Sequence, residues 1–69
     1  MPDAWTGGAV GRMHVYEISH IEVAKRMGVR REYLSMILNG KRHPPGAEER
    51  VNRAIDEIVS ERNAQNKAE

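Results

Sequence analysis

Only Gly28 and Val29 stand between two short helical segments, His20 to Met27 and about Arg30 to Leu38. A connection this short forces the second helix to turn sharply and cross the first at close range. Ala24, in the middle of the first segment, supplies the small side chain that such a crossing requires. Gly28 sits where the chain reverses and a positive φ is expected. Val23, Met27, Val29, Leu34 and Ile37 supply the apolar contacts that lock the pair.

The punctuation around these segments is equally local. Ser19 followed three residues later by Glu22 is a capping box, with Ile18 and Val23 spaced as a hydrophobic staple. Lys25 and Arg26 give a basic last turn before Gly28. In the next segment Leu34, Ile37 and Leu38 face inward, while Arg31, Glu32, Ser35 and Met36 lie on the other side. Asn39-Gly40 ends it, because both residues tolerate the left-handed conformation. Upstream, Trp5, Ala9, Val10 and Met13 have helical spacing over about Trp5 to Val15. Gly7, Gly8 and Gly11 weaken that helix, and permit either close packing or a flexible start. Downstream, Lys41-Arg42-His43-Pro44-Pro45-Gly46 is a basic loop. A last helix starts near Ala47 with Glu48 and Glu49 at the positive end of its dipole. Its stripe is Val51, Ala54, Ile55, Ile58 and Val59, and it is expected to fray near Arg62 or Asn63. No run has the alternation of a strand.

These readings predict an all-α chain, a small bundle of about four helices. Sixty-nine residues allow a single domain, placed over residues 1–62, with 63–69 as a mobile tail. With no cysteine, disulfides, thiolate nucleophiles and Cys-based zinc sites are excluded. His14, His20 and His43 have no metal-binding helical spacing, so no metal or cofactor is expected. Gly7-Gly8 and Gly11 follow no strand and so make no phosphate loop. A chain this small has little volume for a closed active site. No enzymatic activity and no small-molecule substrate are therefore expected. No apolar run spans a membrane and the N-terminus lacks the signature of a signal peptide, which makes the cytoplasm the default location.

The net charge of +1 conceals its distribution. Lys25, Arg26, Arg30, Arg31, Lys41 and Arg42 all fall within residues 25–43, opposed there only by Glu32, while both flanking stretches are net acidic. Such a block suits a polyanion-binding surface, and on charge alone it suits an ordinary solvated face equally well.

Two short helices joined by a Gly-containing turn form the helix-turn-helix pattern, with the motif at about residues 19–40. Ser19, Glu22, Val23, Ala24, Gly28, Val29, Tyr33, Leu34, Ser35, Ile37, Asn39, Gly40 and Lys41 together make residues 18–42 resemble the Cro/lambda-repressor-like (XRE-type) family. The stretch with Trp5-Thr6-Gly7 and Gly11-Arg12-Met13-His14 looks like small phage- or mobile-element-borne members. The resemblance implies a sequence-specific binder of double-stranded DNA, a small transcriptional regulator of the repressor type. Its second motif helix, about residues 30–38, would lie in the major groove. The residues implied at base edges are Arg30, Arg31, Glu32, Ser35 and Met36; Arg suits guanine, Glu cytosine and Met a thymine methyl. Those implied at phosphates are Ser19, His20, Tyr33, Asn39, Lys41 and Arg42. Homodimers on palindromic half-sites are common in the family, which makes a second copy on DNA an expected partner.

Four departures from the family pattern stand out. His20 replaces a usual Gln at the start of the first motif helix. Arg30 replaces a usual Ser or Thr, removing an N-cap side chain worth on the order of 1 kcal/mol. Leu38 replaces a Glu that pairs in relatives with a base on the first helix, leaving Arg12 without that partner. One long last helix replaces two shorter ones. The competing function class is a protein-interaction or assembly module built on the same fold. Such a module would expose apolar side chains on the outer helix face, where only Met36 fits.

Overall fold

Four helices, α1 (Ala4–Val15), α2 (His20–Met27), α3 (Arg31–Leu38) and α4 (Ala47–Lys67), make up the computed structural model. It describes the backbone of residues 4–67 and the side chains of residues 4–64. There is no strand among the described residues. The long α4 is the spine: α1 and α2 both pack on it, and α3 packs on α2. One cluster holds the molecule together, with Ala9 and Met13 from α1, Val23 and Ala24 from α2, and Leu34 and Leu38 from α3. Val51, Ala54, Ile55 and Ile58 from α4 complete it with Ile18, and Trp5, Met27, Val29 and Val59 pack around its edge.

The helix ends follow the sequence signals closely. The Ser19 hydroxyl accepts from the Glu22 amide at 3.1 Å, and the Glu22 carboxylate accepts from the Ser19 amide at 3.3 Å. Both halves of the capping box are therefore formed, and the buried Ile18 and Val23 complete the staple. Arg30 occupies the N-cap of α3 in an extended conformation and makes no side-chain cap bond, so α3 starts one residue later than expected. Leu34, Ile37 and Leu38 are buried as predicted.

Three of the turns share one device. Gly28, with φ of 75°, donates to the Lys25 carbonyl, and Val29 donates to Ala24. Gly40, with φ of 80°, donates to Ile37, and Lys41 donates to Met36. The same pair of bonds closes α1, where Glu17 donates to His14 and Ile18 to Met13. These are Schellman caps, which want glycine at the left-handed position. At α1 that position is held by Glu17, with φ of 56°. The turn was not visible in the sequence because its residue type is wrong for it; the buried contact of Ile18 and Met13 with the core holds the backbone there. Glu17→Gly is expected to stabilise the fold by about 0.5–1 kcal/mol, seen as a higher Tm in a circular-dichroism melt, since relief of left-handed strain outweighs the added chain entropy. A lower Tm would contradict it.

Three expectations need correction. Val10, grouped by spacing with the inward residues, is 42% exposed, and Thr6 is buried instead. Thr6, Ala9 and Met13 lie on one face at steps of three and four, and Val10 sits at the edge of it, about 65° round from its centre. Close packing does not explain the α1 glycines: a Cβ at Gly7, Gly8 or Gly11 would meet nothing within 4 Å. Nothing in the structure explains why they are glycines. Finally, α4 stays helical to Lys67, past the expected fraying point at Arg62 or Asn63. Residues 63–67 contain no Gly or Pro, so nothing stops the hydrogen-bond ladder even without an apolar anchor. The mobile tail expected over residues 63–69 falls partly outside the described residues.

Candidate nucleic-acid interface

The predicted contact residues lie at the start of α2, at the N-cap and along α3, and in the loop after it. At the start of α2, Ser19 and His20 are both exposed. The Ser19 hydroxyl is engaged in the cap, so what this end offers a ligand is the first-turn amides and the His20 ring. Ile21 beside them is exposed as well.

Arg30, Arg31 and Glu32 are exposed at the start of α3. One turn later Met36 is 40% exposed and Ser35 half-buried. The Asn39 side-chain amide donates to the Ser35 hydroxyl at 3.3 Å, so one predicted phosphate ligand and one predicted base ligand hold each other. Lys41 and Arg42 belong to a loop tied to this helix: both their amides donate to the Met36 carbonyl, at 2.8 and 3.3 Å. The loop is thereby fixed beside the outer face of α3. Tyr33 joins Arg42, His43 and Pro44 around a shallow groove of about 260 Å³.

Three arginines, Arg12, Arg26 and Arg62, form ion pairs that tie the helices together. Arg12, expected to lack the usual family partner, pairs instead with Asp56 and donates to Asn52 at 3.3 Å, both on α4. Arg26 forms a two-pronged pair with Glu61 at 2.6 and 2.7 Å and lies 3.7 Å from Glu57. Arg62 pairs with Glu22 and also donates to the Tyr16 carbonyl. Arg30, Arg31, Lys41 and Arg42 form no ion pair with any described residue. Sequence reasoning missed the paired set. The signal was present in the four-residue steps Asn52–Asp56 and Glu57–Glu61, which put acceptors on two sides of α4.

The Arg26 hydrogen bonds hold the Glu61 carboxyl below its ordinary value of 4.5. A depressed carboxyl stabilises the fold above its unfolded pKa, and that contribution is lost as pH falls through the folded pKa. Arg26→Ala is therefore expected to lower Tm at pH 7 and to converge with the parent protein at pH 3, in parallel melts at the two pH values. An equal deficit at both would show that the pair's charge contributes nothing.

No buried side-chain nitrogen or oxygen lacks a partner among the described residues, and no group of three or more His, Asp or Glu could hold a metal there. Among the described residues no helix is long and apolar enough to cross a membrane.

A short helix capped by Ser19 and Glu22, a left-handed turn at Gly28 and a second short helix packed across the first define a helix-turn-helix protein. Residues 16–48, a little under half of the chain, match the helix-turn-helix family of the Cro/lambda-repressor (XRE) type, a family of DNA-binding regulators. The match covers α2, α3, the basic loop and the first residues of α4. No curated protein and no solved structure matches the chain.

Proposed function

We propose that this protein is a small transcriptional regulator of the repressor type that binds double-stranded DNA sequence-specifically. In this reading α3 enters the major groove, Arg30, Arg31, Glu32, Ser35 and Met36 meet base edges, and Ser19, His20, Tyr33, Asn39, Lys41 and Arg42 meet phosphates. The observation that carries it is the set of exposed cations at the start of α3 and in the loop tied to its far end. Arg12 and Arg26 pair with α4 side chains and Arg62 with Glu22 of α2, whereas Arg30, Arg31, Lys41 and Arg42 are exposed and form no ion pair among the described residues. An exposed guanidinium without a carboxylate partner needs no rearrangement to take a phosphate or a guanine edge. One copy covers too few base pairs to be selective in a genome, so two copies on half-sites one helical turn apart complete the proposal.

The test is fluorescence anisotropy with a labelled duplex from upstream of the protein's own gene and a scrambled duplex, each titrated with salt. Tighter binding to the upstream duplex, with affinity falling linearly in log–log against salt, is expected. No binding to either duplex at low salt would overturn the reading and favour the interaction-module class.

A further inference from the structure

Arg62 lies on the far helix of the fold, yet it reaches the turn that presents α2. Its guanidinium donates to both oxygens of Glu22, at 3.2 and 3.0 Å, and to the Tyr16 carbonyl. Glu22 in turn accepts from the Ser19 amide. One side chain thus connects the end of α1, the cap of α2 and the last turns of α4. The pair is about half-exposed, with side-chain exposures of 34% for Arg62 and 46% for Glu22. Pairs of this kind add little to stability. The location of this one suggests a different use.

Glu22 is needed for the capping box, but its carboxylate stands one turn from Ser19 and His20, beside the amides that would face a phosphate. A bare carboxylate there would repel the DNA backbone within a Debye length of about 8 Å. We infer that Arg62 is a positioning residue for DNA binding: it neutralises Glu22 and pins the α1–α2 turn, so that the start of α2 presents its amides and His20 to a phosphate without a competing charge. The inference rests on the DNA-binding reading above and adds to it a residue outside both the motif and the segment that matches the family.

The experiment compares the parent protein, Arg62→Ala, Glu22→Gln and the double variant in the same anisotropy assay on both duplexes. Glutamine still serves a capping box, so the fold of α2 is retained. Arg62→Ala is expected to weaken both duplexes by about 5- to 10-fold, because the Glu22 charge then stands uncompensated beside the phosphate. Adding Glu22→Gln should restore affinity to within about twofold, because the charge that Arg62 cancels is then absent. Circular-dichroism melts would show all four proteins folded at the assay temperature. Unchanged affinity in Arg62→Ala would overturn the inference. So would a loss that Glu22→Gln fails to restore, which would make Arg62 a direct phosphate ligand or a purely structural clamp. Absence of binding by the parent protein would overturn the DNA reading itself, and the inference with it.

Discussion

Leu34→Ala is expected to leave this protein at the edge of unfolding at room temperature. Leu34 is fully buried and is one of only three buried side chains that attach α3 to the rest of the molecule. Truncating a buried leucine costs about 2–5 kcal/mol, the lost transfer energy plus the cavity left behind. A chain of this size has a total stability of about 3–10 kcal/mol, at the usual 0.05–0.15 kcal/mol per residue. At the centre of both ranges the substitution removes about half of the margin. Domains of this size lose about 4–8 °C of Tm per kcal/mol, so a drop of more than about 10 °C is expected in a thermal melt. Met36→Ala, two residues along on the exposed side of α3, should stay within about 0.5 kcal/mol of the parent. If the two variants melted together, the inward and outward faces of α3 would be wrongly assigned, and with them the face proposed to meet DNA.

What the sequence made visible was local. Ser19 and Glu22, Gly28 and Gly40 each sit within a few residues of the backbone groups they satisfy, and the structure forms the capping box and both glycine caps. The alternation of Leu34, Ile37 and Leu38 with Arg31, Glu32, Ser35 and Met36 likewise separated core from surface on a single helix. What remained invisible depends on partners distant in the chain. Glu17 adopts a glycine's conformation because Ile18 and Met13 are held by the core. The hydrogen bonds of Arg12, Arg26 and Arg62 to Asp56, Glu61 and Glu22 join residues 35 to 44 apart. A count of charges could place a basic block over residues 25–43, but not say that Arg26 inside it is already paired. Folding subtracts that arginine from the block and leaves its exposed charge on Lys25, on Arg30 and Arg31 at the start of α3, and on the loop after it.

Arg31→Ala and Lys41→Ala are expected to fail in different ways, and the contrast bears directly on how the interface works. Arg31 is the first residue of α3, exposed and without an ion pair among the described residues, at the helix end that in the proposed docking enters the major groove. Lys41 lies past Gly40 in the loop tied to Met36, beside the helix rather than at its tip. A side chain at the tip meets base edges; one beside the helix meets the phosphates that flank the groove. Losing a two-bond contact to a base costs about 1–3 kcal/mol against that sequence alone, so Arg31→Ala should reduce the preference for the specific over the scrambled duplex by about 5- to 150-fold. Lys41→Ala should weaken both duplexes alike and make the salt slope shallower by about 0.9. Both quantities come from one set of anisotropy titrations across salt. Equal losses on the two duplexes from Arg31→Ala would assign Arg31 to a phosphate and pass base reading to Glu32 and Met36. A loss confined to the specific duplex from Lys41→Ala would mean that the loop, not the helix tip, reads the sequence, and α3 would have to lie in the groove at a different angle.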